Sequence, residues 1–384
     1  MEAYLDNSAT TRCSEAAAEK MMQVLRTDYG NPSSLHNKGM EAENYLRESR
    51  KIIAKTLRVK DKEIVFTSGG TESNNLAIIG AAMARKRSGK HILVTPIEHA
   101  SVANPMKALA DLGFEVEYIP VDENGIIDLK ALRSMVRKDT ILVSIMHVNN
   151  EIGAVEPIEE AARIIKTVNP ETYFHVDAIQ SYGKFEIYPD RWGIDLLSVS
   201  GHKIHGPKGS GFLFIHEGVR IQPEILGGGQ EGGMRSGTEN VPAIAGLGVA
   251  AEDMYSHLAE NRSHLYDLKK HFIEGVEKIE GAHVNGRTGE DSAPQIVSVS
   301  FQGVRAEVLL HALEDRDVYV SSGSACSSNR PAVSRTLTSI HVAHEYLDET
   351  VRFSFSVYTT MEEIDYALEQ LKALLPVLRK YTRH

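Results

Sequence analysis

Short apolar segments alternate with helical patterns between residues 64 and 215, and no other feature narrows the choice of fold as much. Several of these segments are hydrophobic at every position, as expected for parallel strands that are covered on both faces. The segments between them, such as PIEEAARIIKTV, carry one apolar stripe, which predicts amphipathic helices. We therefore predict an α/β fold with a mostly parallel, doubly wound sheet. The predicted strands are EIVFTS, HILVTP, VEYIPV, TILVSIMHV, YFHVDA, IDLLSVS and GFLFI.

The pattern changes after the Gly-rich stretch 226–238, where a long helical segment is predicted around residues 240–280. Thr360 and Glu363 then have the spacing of a capping box at the start of a last helix. A chain of 384 residues is long enough for two domains. We expect a large domain at 15–255 and a smaller C-terminal α+β domain at 256–384, which the N-terminal segment 1–14 joins. The C-terminal elements are predicted from PQIVSVSFQG, AEVLLHALED, DVYVSSG, ETVRFSFSV and MEEIDYALEQLKALLPVLRK.

Charge and hydropathy exclude several classes of partner. The net charge is −10 and no block of Lys or Arg occurs, which argues against direct binding of nucleic acid. The longest apolar run, LAIIGAAMA at 76–84, is too short for a membrane span, and the N-terminus has no secretory pattern. Two cysteines cannot form a disulfide framework, which favours a reducing compartment and a cytoplasmic location.

Polar residues follow the ends of several predicted strands. In an open parallel sheet, ligands bind beyond the carboxyl ends of the strands. Each residue alone has an ordinary structural explanation, such as a helix cap, a core histidine or a turn asparagine. Their common position at one edge favours a site. These residues are Gly70, Thr71, His99, Asn149, Asn150, Asp177, Gln180, Ser200, His202 and Lys203.

Three of these positions point to a compact phosphorylated cofactor. The 69–71 turn leaves main-chain N–H groups free at a helix N-terminus, which favours an anion, and it matches no nucleotide-binding motif. Asp177 follows apolar residues and is expected to be buried, where a carboxylate needs a cationic partner. Lys203 lies in a poorly solvated turn, where an amine becomes suited to Schiff-base formation. A phosphate site, a carboxylate for a pyridinium nitrogen and such a lysine together predict pyridoxal phosphate.

Other Cys and His residues carry weaker signals. His341 and His344 lack the spacing of a metal motif, so no metal site is predicted. Cys13 has no neighbouring feature that indicates chemistry. Cys326 lies in the polar segment YVSSGSACSSN, 319–329, where it is either an incidental thiol or a reagent that has to move.

The chain resembles the cysteine desulfurases, which belong to the class V branch of the fold type I pyridoxal phosphate enzymes (aminotransferase fold). The resemblance covers about residues 3 to 375. Within it, SGHKIHGPKG and the thiol segment are specific together, whereas GGTES alone is weak. The motifs that carry it are YLDNSATT, FTSGGTESNN, HVNNEIG, HVDAIQ, SGHKIHGPKG, GMRSGTEN and SSGSACSS, in this order.

The resemblance implies a role for each residue around the cofactor ring. Lys203 would bind pyridoxal phosphate as a Schiff base, and Asp177 would pair with the pyridinium nitrogen. Gln180 would contact the ring oxygen, with Asn150 beside that oxygen and the substrate. His99 would stack on the ring and carry a proton.

The remaining implied roles concern phosphate, substrate and sulfur. Thr238 would reach the phosphate bound by a neighbouring subunit, which implies a homodimer with shared sites. Arg352 would bind the carboxylate of L-cysteine, and Cys326 would attack its sulfur and become a persulfide. The residues expected to hold the phosphate of the same chain are Gly70, Thr71, Ser200 and His202.

Some features leave alternatives open. The segment after the thiol, NRPAVSRTLTSIHVAHEYLD, and the short tail differ from the best-known members, which leaves the sulfur acceptor open between an iron–sulfur scaffold and a tRNA-thiolation protein. A selenocysteine lyase, another lyase or an aminotransferase of the same fold is the alternative activity. A non-catalytic assembly protein is disfavoured, because the lysine and the aspartate are both present.

Overall fold

The structure is a computed structural model that describes residues 1–322 and 334–381. Its strands are β1 Ala3–Tyr4, β2 Ile64–Thr67, β3 His91–Val94, β4 Glu115–Tyr118, β5 Thr140–Met146, β6 Tyr173–Asp177, β7 Leu196–Ser200, β8 Gly211–Ile215, β9 Ala282–Asn285, β10 Ile296–Phe301, β11 Val318–Tyr319, β12 Ser321–Ser322 and β13 Thr350–Ser354. Its helices are α1 Glu15–Arg26, α2 Asn37–Leu57, α3 Gly70–Arg85, α4 Ala100–Asp111, α5 Leu129–Met135, α6 Ile158–Val168, α7 Pro189–Trp192, α8 Val241–Ser256, α9 Leu258–Val276, α10 Ala306–Glu314, α11 Arg335–Ser339 and α12 Met361–Leu378.

The large sheet has seven strands in the order β2-β8-β7-β6-β5-β3-β4. Strands β3 to β7 pair in parallel, and β8 runs antiparallel to both of its neighbours. Every residue of β5 and β7 is buried, which explains their continuous hydrophobicity. The predicted α/β fold with a mostly parallel sheet is confirmed, and each predicted strand of this region forms.

The direction of the strands decides where the polar residues lie. Because β3, β5, β6 and β7 are parallel neighbours, their carboxyl ends meet at one edge of the sheet. β2 pairs with the other edge of β8. Because β2 and β7 are both antiparallel to β8, β2 runs in the same direction as β7. The polar residues that follow these strands are therefore brought to one edge.

The second sheet is antiparallel, with the order β12-β13-β10-β9. Thr360 and Glu363 form the predicted capping box at the start of α12. The helical segment predicted around 240–280 consists of two helices, α8 and α9, which are divided at His257. His257 has φ −115° and ψ 18°, and the Ser256 hydroxyl donates to the main chain of Asp253. Such local side-chain bonds compete with the helical ladder.

The two sheets contribute to different hydrophobic cores. The core on one face of the large sheet is formed by apolar residues that lie between Ala17 and Met254 in the chain. The core of the small sheet is formed by Ala3, Leu5 and apolar residues from Leu265 onward. These cores support our proposed division into 15–255 and 256–384, with segment 1–14 joining them. Within the described residues, no helix combines the length and the hydropathy needed to cross a membrane.

Candidate active site

A cavity of about 260 Å³ opens at the carboxyl edge of the large sheet. It brings together every residue predicted to bind cofactor or substrate except Thr238. Sequence positions as distant as 70 and 352 meet there, because the parallel strands end at this edge and β13 of the small sheet borders it. The predicted residues that line the cavity are Gly70, Thr71, His99, Asn150, Asp177, Gln180, Ser200, His202, Lys203 and Arg352.

The N-terminus of α3 faces the cavity through Gly70 and Thr71. Its N-cap, Gly69, has φ 147° and supplies no side-chain capping bond. A Cβ atom on Gly70 would lie 2.2 Å from Cδ1 of Ile179, so glycine allows the helix to approach this wall of the cavity. An uncapped helix N-terminus that leads into a cavity is suited to bind an anion.

Asp177 is buried at the end of β6, with 3% of its surface exposed. Its Oδ2 accepts a hydrogen bond of 2.8 Å from Nδ2 of Asn74, and its Oδ1 accepts one of 3.0 Å from the main-chain N–H of Ile179. Burial raises the pKa of Asp177, and these two hydrogen bonds partly oppose that effect. The hydrogen-bond donors to Asp177 are neutral, the charges of His99 and Lys203 also favour its ionised form, and a buried carboxylate in this position favours a further cation in the cavity.

A chain of hydrogen bonds links Asp177 to His99. Asn74 also donates to the hydroxyl of Ser101 at 2.9 Å, and that hydroxyl lies 2.8 Å from Nδ1 of His99. Nδ1 accepts a further bond of 3.1 Å from the main-chain N–H of Ser101. Because a main-chain N–H can only donate, Nδ1 is an acceptor, and the proton of a neutral imidazole is on Nε2.

Lys203 lies in a 3₁₀ turn, Gly201–Lys203, between β7 and β8. Its Nζ donates to the main-chain oxygens of Ser8 and Ala9, the latter at 2.6 Å, so the N-terminal segment orients the amine. Its neighbour His202 has a pKa lowered to about 4, by burial and then by the charge of Lys203. His202 is therefore neutral near pH 7, and its ring can serve as a hydrogen-bond donor.

Arg352 of β13 borders the cavity beside Asn150. Its guanidinium donates 2.8 Å to Oδ1 of Asp6 and 3.0 Å to the main-chain oxygen of Asn150. Its Nε is buried and has no hydrogen-bond partner among the described residues. The pairing with Asp6 keeps the charged fork in place, and a planar fork at a cavity is suited to bind a carboxylate.

Two predicted residues are not part of this cavity as described. Thr238 lies in a separate depression that Ser68, Gly209 and Glu239 also line. Cys326 lies outside the described residues. The described flanks of its segment are close to the site: Ser321 pairs with Arg352 in the sheet, and Oγ of Ser334 donates 2.5 Å to Glu151, the neighbour of Asn150.

Comparison with known proteins agrees with this geometry. The family model described as aminotransferase class-V matches residues 3–367. The chain belongs to this family. It is 44% identical over 379 residues to a protein named cysteine desulfurase IscS from Dictyoglomus turgidum, covering 98% of this chain and 95% of that protein. Cysteine desulfurase IscS 1 from Archaeoglobus fulgidus is 43% identical, over 98% of this chain and 97% of that protein. A solved structure named NifS-like protein superposes with a TM-score of 0.93 at 40% identity, over 98% of this chain and all of that one.

Members of the class-V aminotransferase family use pyridoxal phosphate, and the cavity fits this cofactor. The uncapped N-terminus of α3, with Ser200 and neutral His202, would hold the phosphate. Buried Asp177 would hold the pyridinium nitrogen, and Lys203 would supply the amine. When bound, the cofactor accepts the electron pair that remains when a substrate carbon loses a proton.

Sequence reasoning missed several residues of this class-V site. Asn74 and Ser101 connect Asp177 with His99, and Asp6 and Ser8 hold Arg352 and Lys203 from the N-terminal segment. Within YLDNSATT and FTSGGTESNN, only the turn 69–71 was interpreted from its residues, and the rest was used for the resemblance alone. A signal was present in FTSGGTESNN, because Asn74 falls on the face of α3 that its apolar residues also share.

Proposed function

We propose that this chain converts L-cysteine to L-alanine and receives the sulfur as a persulfide on Cys326. The chain is a pyridoxal-phosphate-dependent cysteine desulfurase by its family and its full-length likeness to proteins of that name. The roles of individual residues are our proposal. The observation that carries this proposal is that the residues proposed to bind the cofactor and the substrate carboxylate line one cavity. The described flanks of the Cys326 segment lie beside that cavity.

Substrate binding falls to Arg352. Its fork, held by Asp6, would bind the carboxylate of cysteine, and the buried Nε adds a donor without a partner among the described residues. Asn150 lines the same cavity and would contact the bound amino acid. A substrate fixed in this way has its sulfur-bearing carbon inside the cavity that Lys203 and His99 also line.

Proton movement falls to Lys203 and His99. Both side chains line the cavity, and the hydrogen bonds to Nδ1 of His99 place the proton of its neutral ring on Nε2. Lys203 is oriented by the carbonyl oxygens of Ser8 and Ala9. These groups would hold and exchange the protons of the substrate α-carbon and of the incoming thiol.

The sulfur step requires a second thiolate. The thiolate of Cys326 attacks the substrate sulfur, so that an S–S bond forms while the C–S bond of the substrate breaks. The electron pair of that bond stays with the substrate carbon, which takes up a proton and leaves as alanine. A lowered thiol pKa assists such an attack, and the Nε2–H of His99 is the donor we propose for the proton that the product carbon takes up.

Sulfur delivery and assembly complete the proposal. We propose a homodimer in which Thr238 contacts the cofactor phosphate of the other subunit, which its position outside this chain's cavity supports. We further propose a cytoplasmic location and a protein acceptor, either an iron–sulfur scaffold or a tRNA-thiolation protein. Retention of sulfur on Cys326 in the presence of both acceptor types would contradict the proposed transfer to a protein acceptor of either type.

The two cysteines of the chain allow a matched test. Cys326→Ser is expected to keep the yellow colour of the bound cofactor and to lose alanine formation, whereas Cys13→Ser keeps both. Mass spectrometry of the wild-type protein after turnover should find one extra sulfur atom on Cys326. Normal desulfuration of cysteine by Cys326→Ser would show that the persulfide role is wrong. Rates on selenocysteine, measured in parallel, separate the lyase alternative.

A further inference from the structure

Lys184 is a second buried lysine that contacts the lysine of the site. Only 8% of its surface is exposed, and its Nζ donates a hydrogen bond of 2.6 Å to the main-chain oxygen of Lys203. Burial lowers the pKa of Lys184 to about 7, and the charge of Lys203 contributes in the same direction. Among the described residues, no carboxylate forms an ion pair with Lys184.

The groups that surround Lys184 do not supply a counter-charge. Lys184 and Lys203 both line an internal cavity of about 10 Å³. His205, on the far side of the turn, has a pKa lowered to about 4 by burial and is neutral near pH 7. The remaining polar side chains on this cavity are uncharged, so Lys203 is the charged neighbour that Lys184 meets. They are Asn7, Thr11, Gln180, Gln295 and Ser356.

The hydrogen bond from Lys184 holds the main chain of Lys203 close to a residue in a left-handed conformation. The turn Gly201–Lys203 is followed by His205 at φ 63°, a left-handed conformation that costs a non-glycine residue energy. Lys184 donates to the carbonyl oxygen of Lys203 inside this turn. The Lys203 amine itself donates to the main-chain oxygen of Ala9 at 2.6 Å. The lysine is thus held at its main chain and at its side-chain end.

A buried amine without a counter-charge reduces stability, and such groups are typical of functional sites. We propose that Lys184 is a positioning residue for Lys203, which holds its main chain and, when protonated, places a second positive charge near its amine. This charge favours the neutral form of the Lys203 amine, which is the form that attacks a carbonyl group. The inference rests on the proposed role of Lys203 in binding the cofactor.

The test compares variants that separate the hydrogen bond from the charge. Lys184→Met removes both, whereas Lys184→Gln keeps an N–H donor without the charge. Lys269→Met is the matched control, because Lys269 is also buried and bonded to Ser292, but lies on α9, whose apolar residues belong to the small core. The readouts are the rate of pyridoxal phosphate uptake by the apoprotein and the pH midpoint of the visible absorbance of the holoprotein.

Lys184→Met is expected to slow cofactor uptake about 10-fold and to move the absorbance midpoint upward by about one pH unit, since removing a nearby cation favours protonation. Lys184→Gln should recover part of the uptake rate and retain the shifted midpoint. Wild-type midpoints in both variants, or an equal shift in Lys269→Met, would overturn the proposal. Lys203→Ala tests the underlying role separately, because a covalent link between cofactor and protein, trapped by borohydride reduction in the absence of Lys203, would contradict the proposed function itself.

Discussion

Asn74 donates one hydrogen bond to Asp177 at 2.8 Å and a second to Ser101 at 2.9 Å, and it is fully buried. One amide therefore orients both the carboxylate predicted to hold the cofactor nitrogen and, through Ser101, the imidazole of His99. Both protons of the amide are used, which fixes the direction of every bond in the chain. The orientation of His99 thus depends on a residue that touches neither His99 nor the substrate.

Asn74→Ala is expected to weaken cofactor binding about 10- to 100-fold, because it removes a donor to a buried carboxylate, worth roughly 1.5–3 kcal/mol. The dissociation constant of pyridoxal phosphate, from absorbance titration of the apoprotein, measures the effect. Asn44→Ala, at an exposed position on α2, is the control. Unchanged affinity in Asn74→Ala would show that Asp177 does not need this amide.

Arg352→Lys should raise the KM for cysteine about 10-fold or more and leave the absorbance of the bound cofactor unchanged. Lysine keeps the charge but cannot provide the planar fork that binds a carboxylate through two bonds. Steady-state kinetics with cysteine checks this, with the exposed Arg305→Lys as control. An unaltered KM would place the substrate carboxylate elsewhere.

Gly70→Ala should weaken cofactor binding, because its Cβ would lie 2.2 Å from Cδ1 of Ile179 and displace the start of α3. The added methyl group costs about 1–3 kcal/mol by overpacking. Ile179→Val removes Cδ1 and leaves only the milder contact with Cγ1 at 2.9 Å, so the double variant Gly70→Ala/Ile179→Val should regain part of the affinity. Additive losses in the double variant, measured by cofactor titration, would contradict the steric explanation.

Acid should destabilise the fold through buried histidines. Burial lowers the pKa of His147 from 6.5 to about 4 and that of His175 to about 3, so the unfolded chain binds protons that the folded chain excludes. The free energy of unfolding is therefore not reduced by these histidines above about pH 6.5, and it decreases as the pH falls toward 4. For His147 the loss between pH 7 and pH 5 is about 2 kcal/mol.

Urea unfolding of the apoprotein at both pH values measures this loss. His147→Phe should reduce it, because the ring packs against Phe185 and Trp192 and phenylalanine takes up no proton. His311→Phe, at an exposed position, should leave the loss unchanged. Equal pH dependence in the wild type and His147→Phe would rule out this histidine as a cause.

Much of the fold could be predicted because a strand that is buried on both faces has a mostly apolar sequence. β5 and β7 are buried along their whole length and mostly apolar, and both were recognised. The break at His257 was missed, since periodicity continues across it and the local side-chain bonds near Ser256 leave no pattern. The short strand β9 was also missed, because its alternating exposure covers only Ala282–Asn285.

The sequence by itself determined the chemistry: a lysine, a carboxylate and an anion-binding turn follow strands whose hydrophobicity makes them parallel neighbours. Only the tertiary structure decided the environments of these groups, because burial and partners come from segments far apart in the chain. It placed neutral Asn74 against Asp177, brought Asp6 to Arg352, and set Lys184 against the main chain of Lys203. Reactivity depends on such environments, since desolvation and nearby charge set each pKa.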